Sequence, residues 1–411
     1  MKRPFSAFLL FIFLLYGIVF PVVPVSKVKE RIEKTGLLKF KSSVELKYVS
    51  GSFFKTYIRD YFDKTYPSEI SEKESKFLHL MGFLKSEGSL TKLRKRVIEN
   101  NAGGLYDERN GKLMIISDHM NSDPVYQLIL VHELRHALQD QYYNISKLFG
   151  NLSDFDDRKL AVTAALEGDA MLLMTQYAEK YTPFPVSPEL SLSGYNSDAL
   201  LSFSPVKFSH NLDDLPPVIK YHLTMPYIHG LKFVFRVFKK GKWKSVNKIL
   251  NSPPVSTEQI LHPEKYLKGE LPAGSEPVYA PEKYELYHSG TLGEYLLNIL
   301  LMEKNNYKDV ASGWGGDTFK LFRKENSYVL IWKSVWDKEE YCERFFKDFR
   351  LFKESASGIS FRDGNVKGNP FIAGRNEGWY LFIRKFGKTM FFVKTNDRKE
   401  MNNFINGGYY D

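Results

Sequence analysis

The 411-residue chain has a single cysteine, Cys342. An intrachain disulfide framework is therefore excluded, and so is any metal or cluster site that needs several thiolates. No cysteine lies near the N-terminus to carry a lipid anchor. Cys342 itself reads as a small buried hydrophobe on a helix that follows Asp337. Long apolar runs are also scarce. One occurs, from Phe5 to Val25, and no second run of membrane-spanning length follows it. A large excess of one charge is missing too. Lys+Arg exceed Asp+Glu by 58 − 48 = +10, spread along the chain. Such a modest balance decides little between an anionic membrane and nucleic acid, and we expect no nucleic-acid partner. With 43% hydrophobic and 26% charged residues, the composition excludes disordered, collagen-like and coiled-coil chains. Aromatics at 15% supply ample material for a core.

The N-terminus opens Met1-Lys2-Arg3-Pro4 before the apolar run. A basic start followed by an apolar stretch is an export signal. Residues 1–26 therefore read as a signal peptide or an N-terminal membrane anchor. No small-residue cleavage site closes the run, which favours a retained anchor. Pro21 and Pro24 near its end oppose a full helical span. Either way the body is expected outside the cytoplasm, membrane-anchored or secreted.

Residues 27–100 read as mostly helical, with a short strand where Val44, Leu46 and Tyr48 alternate with polar residues. The basic cluster Lys92–Arg96 reads as a solvated helix face. After the turn Asn110-Gly111, Lys112–Ile116 reads as a strand. Asp123 and Pro124 mark a helix start, and that helix runs to about Tyr143. A second runs from about Arg158 to Tyr177. Residues 183–225 read as a long loop, 226–250 as helical, and 252–281 as Pro-rich and irregular. Lys239-Lys240-Gly241-Lys242-Trp243-Lys244 reads as a solvated turn or a contact with anionic lipid. Beyond Tyr287, Thr318–Arg323 and Tyr328–Trp336 read as strands and Asp337–Phe352 as a helix. Trp379–Lys385, Lys388–Thr395 and a helix from Asn396 repeat that strand-strand-helix unit.

The chemistry concentrates in His132-Glu133-Leu134-Arg135-His136. Histidines at i and i+4 share one helix face, one turn apart. Both imidazoles can reach one zinc ion, and Glu133 can stand beside it as a base without ligating it. A catalytic zinc usually takes a third protein ligand. The next helix carries Ala161, Ala164 and Ala165, small residues that let helices approach, followed by Glu167. A carboxylate in such a face is costly unless paired or metal-bound, so Glu167 is the expected third ligand. Asp169 is an alternative, although it lies about 200° round the helix from Glu167. Asp140 and Asp169 are either partners of the histidines' second ring nitrogens or surface charges. Acyl transfer also needs a donor to the developing oxyanion. Tyr227, His229 and His262 are candidates, with Tyr227 and His262 preferred.

His132 to Asp140 resembles the active-site helix of the gluzincin metallopeptidases, the thermolysin clan. Glu167-Gly168-Asp169-Ala170 resembles their glutamate helix. That resemblance implies a zincin-like core in which Leu113–Ile116 is the edge strand that pairs with substrate backbone. Two features depart from it: 30 residues separate His136 from Glu167, and Met171 stands four positions after Glu167, where the clan usually has an acidic residue. Gly104–Asp107, His132–Gln141, Glu167–Ala170, Pro253–Gln259, Leu261–Tyr266 and Gly313–Asp317 together resemble a family of uncharacterised exported prokaryotic proteins that carry the zinc motif.

The expected fold is α+β. A mostly helical zincin-like core over 27–287 is followed by an α+β region over 288–411. The expected activity is zinc-dependent peptide hydrolysis with Glu133 as base, acting on a peptide or protein substrate. The alternative is a non-catalytic envelope protein in which zinc staples two helices and the C-terminal region binds a partner. No feature of the sequence indicates an oligomeric state.

Overall fold

The computed structural model describes residues 23–117, 124–150, 152–182, 214–275, 279–305, 310–366, 369–376 and 378–407. The expected export segment up to Val22, the expected cap at Asp123 and most of the expected 183–225 loop lie outside the described residues. Among the described residues, no helix is long and apolar enough to cross a membrane.

The fold is α+β. Helix α1 (Val25–Gly36) leads to β1 (Glu45–Val49), α2 (Gly51–Thr65), α3 (Ser68–Met81) and α4 (Leu90–Asn101). Strands β2 (Gly104–Asp107) and β3 (Lys112–Ile116) follow. The helical centre is α5 (Pro124–Tyr143), α6 (Ile145–Phe149), α7 (Asp157–Tyr181) and α8 (Pro217–Val246), with α9 (Thr257–Leu261) and α10 (Pro263–Lys268) beside it. Asp156 starts α7 by accepting the N–H of Arg158 at 3.0 Å, which satisfies one orphan donor of the first turn. Pro217 starts α8 at a position where its fixed φ is already helical. This helix therefore begins nine residues before the expected 226. Pro226 lies inside it and, lacking an N–H, leaves the His222 carbonyl without its helical partner.

β3 is not an edge strand. The small sheet has the order β1-β3-β2, with β3 parallel to β1 and antiparallel to β2. Both edges of β3 are thus occupied, and the expected pairing of Leu113–Ile116 with substrate backbone is excluded. The strand beside α5 is β2. Periodicity shows that a segment is a strand but not which neighbours it takes.

The second sheet has seven antiparallel strands in the order β4-β5-β6-β10-β9-β8-β7. They are β4 (Glu285–Gly290), β5 (Trp314–Lys324), β6 (Ser327–Trp336), β7 (Arg362–Val366), β8 (Asn369–Asn376), β9 (Trp379–Phe386) and β10 (Thr389–Thr395). Helix α11 (Gly293–Asn305) precedes β5, α12 (Glu339–Ser357) follows β6, and α13 (Arg398–Gly407) follows β10. The strand-strand-helix unit is indeed used twice, and its hairpins meet where β6 pairs with β10. The helices lie on opposite faces. Leu330, Trp332 and Phe392 join Phe345 and Phe349 of α12 in the main core. Their neighbours Val329, Ile331 and Val393 pack with Met401 and Phe404 of α13. Such alternation is the period of two that a strand buried on both faces must show.

The main core runs without a break from Val28 of α1 to Phe392 of β10, and β4 spans the expected boundary at 287–288. Polar joints reinforce it. Asp317 of β5 accepts the N–H groups of Leu292 and Gly293 and the indole N–H groups of Trp314 and Trp332, all at 2.8–2.9 Å. Asp157 of α7 accepts the backbone N–H and hydroxyl of Thr257. Lys353 of α12 donates to Met81 O, and Lys394 of β10 to Leu80 O, which gives the last carbonyls of α3 side-chain donors. The Gly-Trp-Gly-Gly-Asp and Val-Ser-Thr-Glu-Gln stretches thus join the helical centre to the sheet.

Candidate metal centre

α5 is buried almost all round. Leu128, Val131, Leu134 and Leu138 lie in the core, and His132 is only 1% exposed. α7 packs across it, and α8 packs along α7. The α7–α8 contact is backbone against backbone. A Cβ on Gly168 would lie 2.2 Å from the carbonyl of Gly230, and one on Gly230 would lie 2.1 Å from Ala164 O. Only glycine permits this approach. Gly168 follows Glu167 directly, and Gly230 lies one helical turn after Tyr227. The two glycines therefore bring Tyr227 to the face that carries Glu167.

Three ligand atoms converge there. The Nε2 atoms of His132 and His136 are 2.9 Å apart. Glu167 Oε2 lies 3.0 Å from His132 Nε2 and 3.5 Å from His136 Nε2. His132, His136 and Glu167 thus form a group that could hold a metal ion. Tetrahedral ligands at about 2.1 Å from a shared zinc would be about 3.4 Å apart, so the spacing fits. Three electron-rich atoms at this separation need a proton or a cation between them. In the metal-free arrangement a proton does this. Burial would push His136 down, but Glu167, aided by Glu133 and Gln139, outweighs it and lifts the imidazole to about 9. Burial would raise Glu167, but the two imidazoles hold its carboxyl well below the usual range.

The tautomer of His136 follows from its neighbours. Gln139 Nε2 donates to Leu166 O at 2.9 Å and to Asp169 Oδ2 at 2.8 Å, both of which can only accept. Its Oε1 therefore faces His136 Nδ1, at 2.7 Å, as an acceptor. Nδ1 must carry hydrogen, which leaves Nε2 as the ligating atom. Asp169 is fixed in turn by Arg135, through Nε and Nη2 at 2.9 Å each. Arg135 Nη2 also donates to Asn247 Oδ1 at 2.7 Å. Asp169 thus supports His136 through Gln139 and does not ligate. Asp140 accepts from the Tyr106 hydroxyl at 2.9 Å and from Ile145 N at 3.0 Å; neither histidine bonds to it. Nδ1 of His132 is buried and, among the described residues, has no hydrogen-bond partner.

Glu133 is outside the triad. Its Oε2 accepts the backbone N–H of Tyr106 in β2 at 2.8 Å, and Gly104 leaves room for its Cγ. It is still close enough to contribute to the shifts of His136 and Tyr227. The Tyr227 ring stacks against His132 with centroids 6.4 Å apart. Burial, with Glu167 and Glu133 adding to it, pushes the Tyr227 hydroxyl well above its ordinary value. His229 instead packs edge-on against Tyr295. His262, between α9 and α10, bonds to Glu294 of α11 at 3.0 Å.

Sequence reasoning missed Gln139 and Arg135. Gln139 lies three residues after His136, on the same face, and Arg135 is a charge inside an apolar helix, so both carried a signal. The Tyr106 N–H carries none, because every residue but proline has one.

Residues 282–397, which span β4 to β10, are similar to a family described as a domain of unknown function (DUF8575). No curated protein and no solved structure matches the chain.

Proposed function

We propose that the protein is an exported, zinc-dependent peptide hydrolase. The observation that carries this is the convergence of His132, His136 and Glu167 beside a carboxylate, Glu133, that is held back from them by the Tyr106 N–H. Two imidazoles and one carboxylate are a donor set that suits zinc and leaves a fourth position open. A zinc ion bound there would supply Lewis-acid polarisation of water and of the scissile carbonyl. Glu133 takes the proton of the attacking water and passes it to the departing amine nitrogen. Tyr227 stays protonated under the influence of its surroundings and donates its hydroxyl to the oxyanion. His262, engaged with Glu294, is assigned no part in these steps. The basic and apolar N-terminus supports export, with the substrate a peptide or protein met outside the cytoplasm.

The test is Glu133→Gln. Gln keeps the shape and can still accept the Tyr106 N–H, but it cannot take a proton. Zinc content and fold should be unchanged, while chelator-sensitive hydrolysis of a diverse peptide library falls by about 10²–10⁴-fold. Activity that survives unchanged in the zinc-replete variant would falsify the mechanism. Absence of zinc-dependent hydrolysis in the wild type, with zinc bound, would favour the non-catalytic envelope protein.

A further inference from the structure

A charge asymmetry runs along α8 and is densest at its C-terminal end. From Leu215 to Thr257 the sequence holds eight lysines and arginines and no aspartate or glutamate. In α8, Phe233, Val234 and Val237 face the core. That turns Lys232, Arg236, Lys239 and Lys240 outward, where all four are exposed. The helix geometry breaks at Gly241 and Lys242. Trp243 turns inward and donates Nε1 to Gln176 at 2.9 Å, while Lys242 and Lys244 stay exposed. Among the described residues, none of these six cations pairs with a carboxylate. A helix C-terminus attracts cations in its last turn. That accounts for Lys244 but not for the row from Lys232 to Lys240. Lys239 and Lys242 lie over the rings of Phe235 and Phe238, at 4.8 and 5.0 Å, so aromatic surface underlies the charges.

The place of this face in the fold is informative. Contacts between α7 and α8 ascend together, from Gly168 with Gly230 to Gln176 with Trp243. The helices therefore run in the same direction and end at the same side. α1 runs against them. Gly36 meets Leu173, and Arg31 meets Tyr177 and Tyr181. The start of α1 thus lies at that same end, and there the apolar N-terminal segment joins the body. Asn247, just past the cationic turn, donates to Gly36 O at 2.8 Å.

We propose that this end is the face by which the folded body rests on an anionic lipid bilayer. An apolar segment and a basic face on one side of a molecule provide two membrane signals that reinforce each other. Lys239, Lys240, Lys242 and Lys244 sit at the end of the helix bundle where α1 starts, which favours a bilayer over a nucleic acid. α7 and α8 then stand on the membrane. Glu167 lies fourteen residues before Tyr181, so the candidate metal centre is held about 20 Å above the headgroups, at 1.5 Å per residue.

The test does not depend on catalysis. The full chain is reconstituted in vesicles of phosphatidylcholine alone, or with about 30% phosphatidylserine. Exposed lysines are acetylated in a short pulse and quantified by mass spectrometry. Labelling of Lys239, Lys240, Lys242 and Lys244 should fall about fivefold or more in the anionic vesicles and recover in about 0.5 M salt. Lys92, on α4 near the start of α7 and α8, and Lys347 of α12 should label equally in both. Equal labelling of the four lysines in the two vesicle types overturns the proposal. Protection by an RNA or DNA duplex offered to the detergent-solubilised chain, with none from anionic vesicles, overturns it in favour of a nucleic-acid partner.

Discussion

Replacing Gln139 with leucine removes the acceptor of the His136 Nδ1–H and the donor to Leu166 O and Asp169 at nearly constant volume. These losses separate into two measurable quantities. Leu166 O and Asp169 lose their donor whether or not metal is bound, so that part appears in folding stability. An unpaired group in this buried site costs about 1–3 kcal/mol, and Asp169 retains both Arg135 bonds. What changes with metal is the freedom of the imidazole. Without Oε1 at 2.7 Å, the ring can turn or take the other tautomer, and binding must order it. Loss of such a supporting bond typically costs 10–100-fold in affinity, about 1.4–2.7 kcal/mol. The assay is zinc competition against a chromophoric chelator at pH 7, with urea unfolding alongside. Asp140→Asn is the control. Asp140 touches Tyr106 and Ile145 but neither histidine, so its effect on zinc affinity should stay within about threefold, the scale of a weak indirect coupling. A folded Gln139→Leu protein that binds zinc within twofold of wild type would refute the relay. So would an equal loss in Asp140→Asn.

Zinc uptake should be coupled to proton release. His136 titrates near 9 in the metal-free protein, so zinc displaces about one proton at pH 7. Apparent affinity should rise about tenfold per unit below that pKa and level off above it, measured by calorimetry in buffers of different ionisation heat. The same shift bears on metal-free stability. The His136 pKa is raised in the folded state from 6.5 to about 9, so its contribution is full below 6.5 and is lost as pH rises through 9. Thermal unfolding of the chelated protein across that range checks the sign. Gly168→Ala should destabilise by about 1–3 kcal/mol or more, because its Cβ would meet the Gly230 backbone, which has no rotamer to change; a wild-type melting temperature would contradict the close approach. Tyr227→Phe should keep zinc and substrate affinity but lower turnover by about 10²–10³-fold, the usual loss of one oxyanion donor. A rise in KM with unchanged kcat would assign the hydroxyl to ground-state binding instead.

The sequence by itself determined what is local along the chain. The one-turn spacing of His132 and His136 follows from helix geometry alone, so two of the three converging residues were legible with no tertiary information. The alternation in β6 and β10 and the repetition of their hairpins likewise fixed the strand-strand-helix units. Glu167 was reachable because a carboxylate among small buried residues needs a reason. Tertiary structure alone decided which partners those pieces take. The edge position of β3 was implied by the resemblance alone, and pairing on both sides leaves no mark in a five-residue segment. Tyr227 could be singled out, but its place at the site depends on Gly168 meeting Gly230, a contact between residues 62 positions apart. His262 carried the same chemical potential, yet Glu294 engages it elsewhere. Side-chain chemistry and helical period act over a few residues and can be read directly. Which distant surfaces meet is decided by the packing of the whole core, which no single segment encodes.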